Sequence, residues 1–481
     1  MANPEYIARA QRGRDEWNAW AEENPGTVVD FQSADVKRID FAGFIFPGAV
    51  NFTGVTLGAQ ASFKDAIFLE TANFTSAKFE GSGDFHGATF KGEVTFHGVL
   101  FRQGSDFDGA TFEGHANFLS AKFEGGEADF RRTAFLQDAI FAEANFPGGA
   151  VFSGVSFGKL AEFRAARFSG HANFQKAAFS NGPARFQNAR FDQIAHFGGA
   201  SFGKEGADFS NTVFFQYTTF DDANFAGYAN FQRAKFNAVA SFRNTEWHGL
   251  ANFNDTNFAS IAVFFQCIFA AVPTFHGATL HEGTTFEGVT WPERRHAGQS
   301  PYDAAAAWAW LRVEMSRSHR YEDELFFFAK EIDARARDVR NEPRGKRLLY
   351  RIYLALGAGR SVAKPFVWLA GLNTFLFLPI YWIANSAIQW RNLPIQDVIA
   401  EVVSFGIPAD VVSVTLGQAL PFIGSSNPER ADLYRRLFAR ADSAGIDMPL
   451  WLEIVGVGQQ LAGGVLVFLI GLALRNRFRM K

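Results

Sequence analysis

From residue 46 onward a large apolar side chain returns at alternating steps of five and six residues, as at Phe79, Phe85, Phe90, Phe96, Phe101, Phe107, Phe112 and Phe118. Two residues before nearly every such position is a small one, for example Ala66, Ala72, Ala77, Ala88, Ala110, Ala116 and Ala121. Immediately before it is usually a polar one, for example Asn73, Lys78, Asp84, Asn117 and Lys122. Positions five and six apart share no face of an α-helix, and a long flat strand would lose its period of two at each beat. A backbone coiled around four short sides fits, each side turning one large and one small residue inward before a corner. The 11-residue beat runs from Phe46 through Phe68, Phe90 and Phe112 to Trp291, with single-residue insertions, so one coil takes 22 residues. Residues 29–292 then make roughly 12 coils, a rod on the order of 55–60 Å long at strand spacing.

The stretches ANFTSAKF (72–79), ATFEGHANFLSAKF (110–123) and DDANFAGYANFQRAKF (221–236) resemble the pentapeptide-repeat family, whose unit is A-(D/N)-L/F-x-x. That resemblance implies a β-solenoid, a right-handed quadrilateral β-helix. This chain departs from it in the six-residue side, F-x-G-x-A-x-F, where Gly81, Gly92, Gly114 and Gly170 are expected to supply the permissive dihedrals of a wider corner.

Composition sharpens this picture. There are 57 Phe, and burying each contributes about 1.5–3 kcal/mol, so the repeated ring is first a stability device. The single cysteine, Cys267, rules out an intramolecular disulfide framework and falls on a small inward position, predicting a core thiol. The ten histidines are scattered over different columns, and no metal site, cofactor motif or catalytic arrangement is read, so the chain is expected to be non-enzymatic.

Outward positions stack into columns. Lys78, Lys122, Arg167, Arg190 and Lys235 form a basic ladder, and Asp84, Asp106 and Asp129 a shorter acidic one beside it. These are the candidate surface for a protein partner; the bland reading is a solvated face whose charges offset one another. Members of the family that bind DNA gyrase act as DNA mimics, which needs a strongly acidic rod. The formal net charge here is only −3 and the sequence pI about 6.4, so that reading ranks third and no nucleic-acid partner is expected.

The opening 25 residues lack a signal peptide's apolar core and predict an amphipathic helix, so residues 1–28 are read as an N-terminal cap around Trp17 and Trp20. After Trp291 the beat stops, and residues 293–364 are read as linker and helical cap, with helices over 304–316 and 321–337. Residues 365–481 read as a membrane domain. Its α-helical transmembrane hairpin has uncharged PFVWLAGLNTFLFLPIYWIA (365–384) as one span and 450–474 as the other. Trp368, Tyr381, Trp382 and Trp451 are expected near the interfaces. Between the spans, 410–424 suits a re-entrant or interfacial segment. Basic residues precede the first span (Arg344 to Lys364) and follow the second (Arg475 to Lys481). They predict an inner (plasma) membrane protein with the rod and both termini cytoplasmic.

Glu453, Gln459 and Gln460 lie within the second span, where Gly456, Gly458, Ala462, Gly463 and Gly464 would permit close helix approach. Buried polar groups there seek other helices or water, which predicts a homo-oligomer. The flanks and spans resemble membrane-attached pentapeptide-repeat proteins of bacteria. Together these features predict a membrane-anchored scaffold or sensor whose rod binds an unidentified protein partner, with the lipid bilayer as its second partner. The alternative is a homo-oligomeric ion channel or pore gated by the rod, although no T-V-G-Y-G filter is present.

Overall fold

The computed structural model describes residues 3–293, 296–357, 360–390, 407, 409–419, 437 and 450–479. The chain divides into two compact units, Met1–Trp310 and Leu311–Lys481.

The first unit is a β-solenoid with four faces, each a ladder of two-residue parallel strands. In the order the chain visits them, face 1 runs from Val29–Asp30 to Ala251–Asn252, with 11 strands. Face 2 runs from Thr56–Leu57 to Asn257–Phe258, with 10. Face 3 runs from Gly83–Asp84 to Ala262–Val263, with nine, and face 4 from Ile45–Phe46 to Ile268–Phe269, with 11. This makes about 11 regular turns. Past Phe269 the expected twelfth is held only by single bridges, Asn252 to Thr274, Asn257 to Thr279, Val263 to Thr285 and Ile268 to Thr290.

The interior is aromatic throughout. Rings one coil apart stack nearly parallel at strand spacing: Phe85 and Phe107 lie 4.9 Å apart at 1°, and Phe107 and Phe130 lie 4.8 Å apart at 1°. Rings across the same level meet edge to face, as Phe85 and Phe96 do at 5.3 Å and 84°. Both arrangements are favoured by the ring quadrupole. Where Ala at the small position is replaced, Thr133, Thr212 and Thr256 donate their hydroxyls to Phe107, Phe186 and Phe231 carbonyls in the previous coil. Cys267 follows the same rule. Its Sγ donates to the Phe242 carbonyl at 2.8 Å, and burial pushes the thiol up to about 12.

Two kinds of corner alternate. The tight corners follow faces 1 and 3. At Phe74–Ala77 the Ala77 N–H donates to the Phe74 carbonyl at 3.0 Å, Ser76 takes φ 55°, and Asn73 Oδ1 accepts from the Thr75 N–H at 2.9 Å. Polar residues before Phe therefore hold the turn. The wide corners follow faces 2 and 4. The expectation for their glycines does not hold: Gly81, Gly92, Gly114 and Gly170 have no positive φ. Instead the coils touch there, and a Cβ on Gly81 would stand 2.7 Å from the Ala59 Cα. Positive φ recurs at the tight corners, often on residues other than glycine, such as Arg132, Ala165 and Lys176, and at wide corners it falls on other glycines, Gly104, Gly125, Gly149 and Gly206.

Both ends are closed. At the start, two helices rather than one, α1 (Pro4–Ala10) and α2 (Arg14–Glu23), break at Gly13, whose φ is 100°. Trp17 of α2 is fully buried, stacks on Phe44 at 5.4 Å and donates Nε1 to the Ile45 carbonyl at 2.9 Å. At the far end, α3 (Pro301–Arg317) sets Trp310 on Phe275 at 5.3 Å and Trp308 edge-on to Trp291 at 5.6 Å. Gln299 completes the edge, accepting from the Val272 N–H at 3.1 Å and donating to its carbonyl at 2.8 Å, as a neighbouring strand would.

The second unit is helical. It comprises the end of α3, α4 (Tyr321–Arg337), α5 (Arg344–Ala355), and a continuous run of α6 (Ala363–Leu372), a π-helical turn (Asn373–Phe377) and α7 (Leu378–Trp390). It ends with α8 (Ala409–Ala419) and α9 (Leu450–Arg479). Stretches 363–385 and 450–476 are long and apolar enough to cross a membrane. Along α9 two opposite stripes are sorted. Leu452, Gln459, Leu466 and Ala473, at steps of seven, are buried, whereas Leu450, Ile454, Val457, Leu461, Val465 and Phe468 are exposed. Tyr381 is fully buried with Phe377, Val411 and Leu452, so it is a packing residue and not the interfacial anchor expected.

Candidate interaction surfaces

The columns read from sequence are real neighbours. On face 2, Lys78 pairs in register with Leu100, Leu100 with Lys122, Lys122 with Asn145, Asn145 with Arg167, Arg167 with Arg190, and Val213 links Arg190 to Lys235. On face 3, Asp106 pairs with both Asp84 and Asp129. The faces meet at a wide corner.

The two ladders are not equivalent. Arg167 and Arg190 both reach Asp192, at 3.2 and 2.5 Å, and Arg190 lies over the Phe215 ring at 4.2 Å. Lys78, Lys122 and Lys235 are exposed, and their side chains make no hydrogen bond or ion pair among the described residues. The aspartates work as corner residues: Asp84, Asp106 and Asp129 accept from the N–H of His86 (3.1 Å), Asp108 (2.8 Å) and Arg131 (2.9 Å).

The middle carboxylate is nonetheless uncomfortable. Burial raises the pKa of Asp106, and repulsion from Asp129 and Asp84 adds to it, against the Asp108 N–H and His86. A raised carboxyl binds its proton more tightly in the folded state, so stability is lost as pH rises through that value. Asn does the same corner work at Asn73 and Asn117. Asp106→Asn should therefore stabilise the rod at neutral pH, with the gain vanishing below the ordinary carboxylate range. Denaturant melts at several pH values check this; a gain that persists at low pH would refute the electrostatic cause.

Two further surface features escape a column-by-column reading of charge. At the corner between faces 2 and 3, Ile194, Tyr217, Val239 and Ile261 stack in successive coils through the bonds from Ala195, Thr218 and Ala240 N–H to the carbonyls of Tyr217, Val239 and Ile261. Ile194 is 38% and Tyr217 40% exposed. The 22-residue register, shifted for the insertions, would have found them. At the opposite wide corner, from face 4 to face 1, two successive coils each carry an extra residue, so Phe179 to Phe186 and Phe202 to Phe209 are steps of seven. The displaced loops leave a recess of about 350 Å3 lined by Glu162, Arg185, Glu205, Asp208 and Tyr228. Glu162 is buried there and accepts from Arg185 at 3.3 Å.

In the helical unit the intramembrane candidates separate. Glu453 is exposed in the first turn of α9. Gln459 is buried, and its Nε2 donates to Asn373 Oδ1 at 2.6 Å and to the Thr415 carbonyl at 2.7 Å. Asn373 opens the π-helical turn and donates back to the Leu369 carbonyl at 2.6 Å. Gln460 donates to Gln418 of α8. Gln459 Nε2 and Gln460 thus find partners within their own chain, whereas Gln459 Oε1 is buried with no hydrogen-bond partner among the described residues. Close approach is real at Gly463, where a Cβ would strike the Ala419 carbonyl, but Gly458 faces open space. Of the segment 410–424, residues to Ala419 are helical and the remainder lies outside the described residues. Gln459→Leu removes the shared donor and leaves Asn373 Oδ1 and a carbonyl buried, costing about 1 kcal/mol. A thermal melt in detergent unchanged from wild type would refute that role.

Comparison with known proteins supplies one match. A family profile for pentapeptide repeats (9 copies) matches residues 41–89, 74–122, 85–134, 96–145, 152–201 and 220–265. No curated protein and no solved structure matches the chain. The domain through which these matches run is a pentapeptide-repeat β-solenoid, a protein-interaction scaffold fold.

Proposed function

We propose that the chain is a membrane-anchored scaffold, its rod docking a protein partner and its helical unit held in the bilayer of the inner membrane with the rod on the cytoplasmic side. The observation that carries the anchoring is the sorting of α9. Ile454, Val457, Leu461 and Phe468 are each more than half exposed, an arrangement that water penalises and hydrocarbon does not. Docking is supported by the apolar stripe at Ile194 and Tyr217, with the unpaired Lys235 side chain beside it on face 2. Basic and apolar side chains in one line fit a partner presenting carboxylates beside apolar side chains.

A photo-crosslinker at position 217 should capture one discrete polypeptide in cells, and Lys235→Glu should weaken that capture. Equal capture from position 217 and from a position on face 1 would refute docking at this edge. Anchoring is tested separately, by whether alkaline carbonate leaves the full chain in the membrane fraction.

A second reading, an oligomeric pore, is favoured by the hydrogen-bonded set Gln459, Asn373 and Thr415 beside a π-helical turn, a local irregularity often found at functional sites. Planar-bilayer recordings decide it. Silence from a protein that is monomeric in detergent would remove this reading and leave the scaffold standing.

A further inference from the structure

α5 has two sides that do not match. One packs on α4, where Tyr353 meets Phe328 edge-on at 6.1 Å. The other carries Leu348, Leu349 and Ile352, which are 59%, 65% and 46% exposed, and α5 buries no residue. At 100° per residue these three lie on one stripe, directed away from Tyr350 and Leu354, with Tyr353 at its edge toward α4. Arg344 and Arg351 flank the stripe on one side and Lys346 on the other. All three bases are exposed, and none has an ion pair among the described residues. The bases of α4 behave otherwise: Arg335 is held by Glu331 at 2.9 Å and Glu342 at 3.2 Å, and Arg337 by Asp333 at 2.6 Å. Seven residues separate the end of α5 from the start of α6.

We propose that α5 lies on the surface of an anionic bilayer, its Leu348, Leu349 and Ile352 stripe among the upper acyl chains and Arg344, Lys346 and Arg351 against lipid phosphates. This rests on the reading of 363–385 and 450–476 as membrane spans, and takes the partner to be lipid because of charge and continuity. An apolar strip rimmed by free cations matches the boundary between headgroup and hydrocarbon. A helix tethered by seven residues to a membrane span cannot leave that boundary by more than the linker's reach. A protein groove would match the apolar strip but would not require unpaired bases on both of its flanks.

The test uses the full chain reconstituted in phosphatidylcholine vesicles with and without phosphatidylglycerol. The only native thiol, Cys267, is buried, so Leu349→Cys and, separately, Val457→Cys can be labelled with an environment-sensitive fluorophore. Nitroxide-bearing lipids then report contact with acyl chains. Both labels should be blue-shifted and quenched, the one at 349 more strongly when phosphatidylglycerol is present. Arg344→Gln/Lys346→Gln/Arg351→Gln should reduce that lipid preference by about fivefold per charge removed. Quenching at 457 without quenching at 349 would overturn the proposal and leave the anchor intact. Quenching at neither would overturn both. A label at 349 that is blue-shifted but unquenched would place protein on the stripe and overturn the lipid assignment. An unchanged lipid preference in the triple variant would overturn the role of the three bases.

Discussion

Phe118→Ala should destabilise the rod by about 4 kcal/mol, in the range for a large aromatic removed from a well-packed core. Phe118 is fully buried, between Phe96 and Phe141 in its column, each 4.7 Å away and nearly parallel. It also meets Phe107 and Phe130 nearly perpendicularly, at 5.5 and 5.7 Å. Collapse into the gap is blocked because the backbone of each neighbouring ring is tied to the next coil, as Phe96, Phe107, Phe130 and Phe141 N–H donate to the carbonyls of Asn117, Asp129, Val151 and Glu162. In a solenoid each coil contacts only its neighbours, so the loss should be local. Urea unfolding of the variant gives the magnitude, and hydrogen exchange should show faster opening in the coils around 96–141 than near either cap. A cost below about 1 kcal/mol, or a uniform rise in exchange, would show that the stack is not the load-carrying element.

Gly81→Ala should cost about 3 kcal/mol, the upper end of overpacking penalties, although Gly81 has no positive φ. The added methyl would stand 2.7 Å from both the Cα and the carbonyl oxygen of Ala59, and backbone cannot rotate aside as a side chain can. Gly109 supplies the control. Its φ is +69° and nothing lies within 4 Å of a Cβ there, so Gly109→Ala strains only its own dihedral and should cost about 1 kcal/mol. The same urea titration measures both. If Gly109→Ala proves the costlier, the close coil contact at Gly81 is not what governs its wide corner.

The columns of the rod were legible because a single spacing generates them: once Phe79, Phe101 and Phe123 share a column, Lys78 and Lys122 must share one too. The corners were less so. Glycine at 81 and 92 looks from sequence like glycine anywhere, and only the coil beneath shows that space is what it supplies. The apolar stripe at Ile194 and Tyr217 was hidden by the insertions, which move these residues out of a fixed period. In the helical unit, spans are a matter of length and apolarity and can be counted. The bond from Gln459 to Asn373 joins residues 86 positions apart, and nothing local announces it. For the same reason Tyr381 reads as an interfacial aromatic until Val411 and Leu452 are seen around it.

The three seven-residue steps, Phe123 to Phe130, Phe179 to Phe186 and Phe202 to Phe209, bear on how a chain of near-identical coils finds one answer. Sliding a strand by a whole coil would still set Phe on Phe and Ala on Ala, so the core alone barely discriminates the correct pairing from a slipped one. An extra residue changes that. After a slip, a bulged corner would meet a partner coil of the wrong length, and the mismatch would spread to every later strand. These steps, with the tryptophan-sealed ends, act as landmarks in a repetitive text, penalising misalignment that the aromatic interior would tolerate.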